Sequence, residues 1–318
     1  MRLGWRKSQR QDAVARFARE LENRFGNMEH LVEKSVGVIT AESLERGALE
    51  DLFSHRTCAI HIQEFYLPSA AAEMARWLEQ SSDAIQNWKV SSQRGLESSD
   101  VWSVGKPYNM AVITCVLRRY HNTVGHLITA QDPALKQTRL FSSASSPFRQ
   151  AYFDDAPKLM RRFREDRSFG EAPLLGPLDK LRLELDEIWP EGATVRKNDA
   201  GEPHLAGVAR IMRGPTQYID GFIHVDELAP MVPHHGIFSA NVYLRMPPTG
   251  GELAIWPVAF RSRWDFYRHA ETLSQLTTQG EEGQALLRKR LPSPLNIRVA
   301  AGDLVLLCVQ RPHAAQGF

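Results

Sequence analysis

The sequence predicts an α+β fold, with helices in the first two thirds of the chain and a sandwich or barrel of short strands after about residue 203. Apolar residues recur mainly at helical spacing along 11–34. Residues 57–66 are rich in β-forming side chains and lead into a helical pattern. Beyond residue 203, short β-rich runs alternate with Pro and Gly turns, and one helical insert at 264–290 interrupts them.

The length and composition limit the classes of function. A chain of 318 residues can bury the core of one large domain. A net charge of +2 gives no argument for a nucleic-acid partner, and no apolar run approaches membrane-spanning length. Cys58, Cys115 and Cys308 form no Cys-x-x-Cys pair, so neither a common thiolate zinc site nor a disulfide framework is expected. We expect a reducing, cytoplasmic location, with organellar import and the oligomeric state left open.

Two domains are predicted from these patterns. Residues 1–55 form an N-terminal helical extension, and residues 56–318 form the second domain. The β-rich core of that domain covers approximately residues 200–318.

The segment His224-Val225-Asp226 is the first candidate for chemistry. About one His-x-Asp/Glu is expected by chance in this composition, and His269-Ala270-Glu271 is a second example. Residues two apart share a face of a strand but diverge on a helix, and His269 lies in the predicted insert. His224 and Asp226 can therefore coordinate the same metal ion. His313 lies at the end of the strand that the Gly302-Asp303 turn is predicted to start, 89 residues after His224, and is the expected third ligand.

Two imidazoles and one carboxylate leave three coordination positions open on an octahedral iron(II). Two of these positions can chelate a 2-oxo acid, and the third can take dioxygen. The same ligand set also serves hydrolytic zinc, so the ligand types alone leave both metals open.

Several short motifs together resemble one family. In chain order they are HVD (224–226), NVYL (241–244), GGEL (250–253), AAGDLVLL (300–307) and RPH (311–313). In this order and spacing they resemble the iron(II)/2-oxoglutarate-dependent oxygenases, which have a double-stranded β-helix (jelly-roll or cupin-like) core. The similarity is greatest to the prolyl-hydroxylase-like and small-molecule-tailoring branches.

The resemblance implies a ligand set and a reaction. His224, Asp226 and His313 would bind Fe(II), with 2-oxoglutarate as cosubstrate and dioxygen as oxidant. Decarboxylation to succinate would accompany hydrogen abstraction from a small-molecule substrate, which gives hydroxylation, desaturation or oxidative cyclisation in natural-product tailoring. Halogenases of this family lack the acidic ligand, so Asp226 disfavours halogenation. A peptide hydroxylase of the prolyl-hydroxylase type and a zinc hydrolase remain alternatives.

The cosubstrate's far carboxylate also needs a partner. On the strand that precedes Met246, the polar side chains share one face, which suits a barrel that encloses a polar ligand; a solvent-facing surface is the alternative. The family's usual arginine follows the distal histidine, whereas this chain stops five residues after His313, so we expect that a C-terminal segment is missing. Arg210, Arg245 and Arg311 are the candidate cations, and the sequence favours none of them over the others. The candidate cosubstrate residues are Tyr243, Asn241, Arg245 and Arg210.

Overall fold

The computed structural model describes most of the chain outside the N-terminus and the region between residues 105 and 174. The described residues are 13, 15–24, 26, 28–80, 85–92, 95–104, 116–118, 152–155, 175–195, 197, 200–205, 207–225, 235–260, 262–277, 280–308 and 310–318. Within these residues, no helix has both the length and the apolar character needed to cross a membrane.

Helices and short strands alternate along the chain. The helices are α1 (15–24), α2 (Arg46–Phe53), α3 (Pro68–Gln80), α4 (Pro177–Ile188), α5 (Arg263–Arg268), α6 (Ala270–Ser274) and α7 (Glu281–Arg290). The strands are β1 (Gly37–Ala41), β2 (Thr57–Ile62), β3 (Ile85–Ser92), β4 (Gly95–Val104), β5 (Val116–Arg118), β6 (Ala209–Met212), β7 (His235–Val242), β8 (Leu253–Ile255), β9 (Leu295–Ile297), β10 (Leu304–Cys308) and β11 (His313–Ala315).

The described strands form three sheets and do not close into a barrel. A five-stranded sheet has the order β1-β2-β10-β7-β5, and two three-stranded sheets have the orders β11-β8-β9 and β3-β4-β6. The predicted α+β class is therefore confirmed, whereas the double-stranded β-helix is not confirmed by this topology. One strand of the large sheet, β1, comes from the segment predicted as a helical extension, and it pairs in parallel with β2.

One face of the five-stranded sheet packs against helices. Pro177 begins α4, where its missing N–H costs nothing, and Leu181 and Leu185 lie one turn apart on the buried face of that helix. We name the apolar group that they join the helix-side cluster. It includes Leu49, Leu52, Ile60, Ile62, Leu181, Leu185, Phe238, Ala240, Leu304 and Leu306.

The opposite face of this sheet meets the β11-β8-β9 sheet. Alternate residues of β10 project here, because successive side chains of a strand point to opposite faces. The apolar residues between the two sheets form the inter-sheet cluster. They are Cys58, Ala59, Leu253, Ile255, Ile297, Val299, Val305 and Leu307.

The predicted helical insert lies on the outer side of the β11-β8-β9 sheet. It consists of α5, α6 and α7, and α5 begins with a capping box between Ser262 and Asp265. The insert buries apolar side chains against the chain around Ile223, in what we name the insert-side cluster. Its members include Ile223, Val225, Ala254, Leu273, Leu276, Leu287, Leu291 and Ala314.

The chain between Val305 and His313 differs from the prediction. Sequence parity suggested one strand through His313, but β10 ends at Cys308 and the N–H of Arg311 donates to the carbonyl of Cys308 at 3.1 Å. This turn moves the chain from the five-stranded sheet to β11 of the facing sheet. His313 is consequently the first residue of a new strand instead of the last residue of β10.

His269 lies at the junction of α5 and α6 and is fully buried. Neither of its ring nitrogens has a hydrogen-bonding partner among the described residues. Burial lowers its pKa to about 4, and the charges of Arg268 and His30 lower it further, against the opposing effect of Glu22 and Asp265. The folded protein therefore holds this imidazole neutral. His269 and Glu271 lie in the helical insert, as predicted, and not on a strand.

This burial predicts acid sensitivity. The unfolded chain binds a proton at His269 below about pH 6.5, whereas the folded chain does so only near pH 4, so stability falls as the pH falls through that window. In urea unfolding between pH 7 and pH 4.5, the free energy of unfolding of His269→Leu should fall less steeply with decreasing pH than that of the wild type. The difference in slope should reach up to about 1.4 kcal/mol per pH unit. An unchanged slope would contradict a neutral buried imidazole.

Candidate metal centre

His224 and His313 lie side by side in the structure. Their backbones form an antiparallel bridge, in which the N–H of His224 donates to the carbonyl of His313 at 3.0 Å and the reverse bond measures 2.9 Å. The two imidazole ring centres are 4.3 Å apart, with the planes tilted by 50°. Residues 89 positions apart in the sequence are therefore neighbours, as the spacing argument predicted.

The same kind of hydrogen bond orients both rings. Nδ1 of His224 lies 3.0 Å from the carbonyl oxygen of Phe222, and Nδ1 of His313 lies 2.9 Å from that of Arg311. A carbonyl only accepts hydrogen bonds, so each Nδ1 carries the proton and each Nε2 keeps its lone pair. Histidines that bind metals almost always donate their second nitrogen in this manner.

The surroundings keep both imidazoles neutral, as metal ligands must be. Burial lowers the pKa of His224 to about 4, and this outweighs the raising effect of its bond to Phe222. Burial and then the adjacent ring of His224 hold the pKa of His313 well below its ordinary value. Phe222 stacks on His224, with ring centres 5.5 Å apart, and limits the ring's rotation.

The spacing of the rings fits one shared ion. Two imidazoles bound at right angles to one metal, with metal–nitrogen distances of about 2.1 Å, would place their ring centres roughly 4.5 Å apart. The observed 4.3 Å agrees with this value. Asp226, the predicted carboxylate ligand, lies outside the described residues. Within the described part of the chain, no third His, Cys, Asp or Glu completes a metal-binding group.

The predicted polar face of β7 points toward the space between the two sheets. Asn241 pairs directly with Val305, and Ser239 pairs with Leu307, in the antiparallel register with β10. Directly paired residues project to the same side, so Ser239 and Asn241 face the inter-sheet cluster. A hydrogen bond of 3.3 Å joins these two side chains. The alternative of a solvent-facing surface is therefore not supported for this part of β7.

His313 reaches the same space from the facing sheet. It pairs directly with Ile255 of β8, which belongs to the inter-sheet cluster. Tyr243, just beyond β7, packs against this cluster as well. Burial raises the pKa of the Tyr243 hydroxyl well above its ordinary value, with Arg210 lowering and Asp303 raising it. The hydroxyl thus stays protonated and can donate a hydrogen bond.

Arg210 supplies positive charge to the two histidines and to Tyr243. It lies on β6, where its neighbours Ala209 and Ile211 pack toward α3. Arg210 therefore projects from the opposite face of that strand. Its charge lowers the pKa of both histidines and of Tyr243, although its own side chain is exposed. Among the arginines that were candidates for binding the cosubstrate, Arg210 is thus one whose charge lowers the pKa of both histidines.

The other two arginine candidates are engaged elsewhere. Arg245 forms a largely exposed ion pair of 2.8 Å with Glu79 on α3. Arg311 is buried and forms a 2.5 Å ion pair with Glu33, while also donating to the carbonyl of His55. We interpret Arg311 as a structural residue, since its own carbonyl is the acceptor that orients His313.

A buried histidine–aspartate pair near Tyr243 was not predicted. Nε2 of His61 lies 2.7 Å from Oδ2 of Asp303, and both side chains are almost fully buried. The carboxylate also accepts from the backbone N–H groups of Glu64 and Ala300. The sequence indicated only the Gly302-Asp303 turn, because nothing local pairs Asp303 with a residue 242 positions away.

Comparison with known proteins does not assign a family. No model of a protein family matches the chain, and no curated protein matches it. A structure from Salmonella typhimurium LT2, described as a presumed oxidoreductase, has 10% identity and a TM-score of 0.36, with coverage of 98% of this chain and 75% of that chain. Two structures of the hypothetical protein JW0805 from Escherichia coli have 12% identity, TM-scores of 0.25 and 0.26, and coverage of 98% of this chain and 73% and 74% of those chains. Likeness at this level supports no argument about fold or activity.

The ion pair of Arg311 gives a stability prediction. Glu33→Ala leaves a buried guanidinium without its carboxylate, so we expect a loss of about 3–5 kcal/mol in the free energy of unfolding, measured by urea denaturation. The double variant Glu33→Leu/Arg311→Met, which removes both charges, should recover most of that loss. Equal losses in the single and double variants would show that packing, and not charge, is responsible.

Proposed function

We propose that this protein is an iron(II)/2-oxoglutarate-dependent oxygenase that acts on a small molecule. The observation that carries the proposal is the His224–His313 pair, in which two adjacent neutral imidazoles are held by carbonyls so that both Nε2 atoms keep a lone pair that a metal can use. Asp226, two residues after His224, is the proposed third ligand. This set leaves open positions on an octahedral iron.

In this proposal the chain's residues hold and screen the reacting groups. His224, His313 and Asp226 would bind the metal. With 2-oxoglutarate and dioxygen, the bound iron would supply the oxidising power to abstract hydrogen from a substrate carbon, for hydroxylation, desaturation or cyclisation, while the cosubstrate is decarboxylated to succinate. The inter-sheet cluster gives one side of the site an apolar wall that excludes water.

Arg210 is the proposed partner of the cosubstrate's far carboxylate. A guanidinium pairs with a carboxylate through charge-assisted hydrogen bonds, and Arg210 already acts on both histidines and on Tyr243. The protonated Tyr243 hydroxyl would add one donor, and Asn241 would line the same face. The sheet that carries Arg210 would thereby complete the site.

The double-stranded β-helix belongs to the same proposal. The five-stranded sheet and the β11-β8-β9 sheet face each other across the inter-sheet cluster, and each contributes candidate site residues to that space. Apart from the parallel pair of β1 and β2, the strand pairs of these two facing layers are antiparallel, and two facing antiparallel layers are the arrangement of a jelly roll. A zinc hydrolase with the same ligands is the second candidate. The charge of Arg210, which lowers the pKa of both histidines, favours the oxygenase, because an acidic cosubstrate needs a cation.

Metal and cosubstrate binding test the proposal directly. Anaerobic addition of iron(II) and 2-oxoglutarate should produce the weak visible charge-transfer band of the chelate, and aerobic reaction over a metabolite panel should release succinate. His313→Ala and Asp226→Ala should each abolish or strongly weaken the band, because each removes one ligand. The matched control is His30→Ala, which removes a half-exposed histidine whose Nε2 lies 3.8 Å from a carboxylate oxygen of Asp265.

Two results would contradict the oxygenase. Purified protein that carries one zinc per chain, with no band on addition of iron and 2-oxoglutarate, would favour the hydrolase. A band that survives both ligand substitutions but is lost in His30→Ala would place the metal elsewhere.

The role of Arg210 gives a second test. Arg210→Gln removes the cation, so the apparent Kd for 2-oxoglutarate should rise about 10–100-fold, as expected for the loss of hydrogen bonds to a charged group. Binding is measured by titration of the charge-transfer band. Arg245→Gln is the control, since Arg245 already pairs with Glu79 at the surface. A larger effect in Arg245→Gln than in Arg210→Gln would reverse the assignment.

A further inference from the structure

A glutamine side chain from the helical insert pairs with the backbone next to His224. The N–H of Ile223 donates to Oε1 of Gln284 at 2.7 Å, and Nε2 of Gln284 donates to the carbonyl of Ile223 at 2.9 Å. Both residues are almost fully buried. The amide of Gln284 therefore satisfies both backbone groups of one residue, as a neighbouring β-strand would.

The other edge of this segment is occupied by His313. Backbone groups of successive residues in an extended chain point to opposite sides, so those of Ile223 face α7 and those of His224 face β11. Gln284 thus occupies the place of a third strand beside the His224–His313 bridge. The apolar side chains of Ile223 and Val225 pack into the insert-side cluster nearby.

Two rigid peptide units connect Gln284 to the histidines. In the unit between Phe222 and Ile223, the N–H binds Gln284, while the carbonyl accepts the Nδ1–H of His224. In the unit between Ile223 and His224, the carbonyl binds Gln284, while the N–H donates to His313. Because peptide units are planar, tilting one end moves the other. Gln284 therefore constrains both the ring of His224 and its bridge to His313.

One turn later, α7 makes a second contact with the same segment. Arg288 donates to the carbonyl of Gly221, and its Nε lies 3.8 Å from a carboxylate oxygen of Asp220. Gly221 has φ +74°, and a Cβ there would lie 2.2 Å from the carbonyl oxygen of Ala315 on β11. The segment is consequently held between α7 and β11 along its length, from Gly221 to His224.

We infer that Gln284 is a positioning residue of the metal centre, which fixes the orientation of His224 through the adjacent backbone of Ile223. This inference rests on the proposed metal binding by His224 and His313. Substitution of outer partners of metal-bound histidines typically costs 10–100-fold in metal affinity. Such partners bind the ring directly, whereas Gln284 binds the backbone N–H and carbonyl of Ile223, and the two peptide units that contain them orient the ring of His224.

Cobalt(II) titration, followed by visible absorption, is the test. Gln284→Met keeps the length of the side chain but removes both hydrogen bonds, so the Kd for cobalt(II) should rise 10–100-fold. Amide hydrogen exchange of residues 222–224 should also accelerate in the metal-free variant. Gln275→Met, a glutamine of the same insert that donates to the carbonyl of Glu271, should leave the Kd unchanged.

A loss of general stability must be separated from a loss of positioning. Leu181→Ala, in the helix-side cluster on the far side of the large sheet, should lower the melting temperature without changing the Kd for cobalt(II). If Gln284→Met does not fold, Gln284→Glu serves instead, because its carboxylate still accepts from Ile223 but cannot donate to the carbonyl when ionised. It should also raise the Kd.

The outcomes distinguish the inference from the proposed function. Wild-type protein that binds no cobalt(II), or binds it equally well as His313→Ala, would overturn the metal centre and the inference with it. Wild-type protein that binds cobalt(II) through His313, with an unchanged Kd in each Gln284 variant that folds, would overturn the inference alone. A raised Kd with wild-type values in Gln275→Met and Leu181→Ala would support it.

Discussion

The backbone bridge between His224 and His313 is the contact on which the rest of the site depends. It joins a segment without a regular strand of its own to the first residue of β11, and it brings two imidazole ring centres to 4.3 Å. Each ring is then fixed by a carbonyl two residues upstream, from Phe222 or Arg311. Without the bridge, these two local hydrogen bonds would still orient each ring, but the two rings would not be adjacent.

The bridge is itself supported from both sides by buried polar contacts. Behind His313, the guanidinium of Arg311 is buried with Glu33, so the turn between β10 and β11 has a fixed anchor. Behind His224, Gln284 completes the backbone hydrogen bonding of Ile223. Buried polar groups are costly unless they are paired, so both contacts favour one arrangement of the backbone over its alternatives.

The sequence predicted the histidine pair better than the contacts that support it. Strand parity and spacing identified His224 and His313, because period two and a preceding Gly302-Asp303 turn are local signals. The same parity wrongly extended β10 to His313, since a turn at Arg311 leaves the parity of the flanking residues unchanged. The partners Glu33 and Gln284 carry no local signal, because a charged or amide residue in a helical region usually faces solvent.

The three arginines show why the candidate cation was harder to predict from the sequence than the histidine pair. Arg210, Arg245 and Arg311 were equivalent in the sequence, yet one is half of a buried ion pair, one lies in an exposed pair, and one acts on the histidines. The difference comes from the partner of each guanidinium, which only tertiary structure supplies. Ala209 and Ile211 pack toward α3, which turns Arg210, the residue between them, to the other face of β6. The apolar residues of β6 thus determine which face of the strand carries its charge.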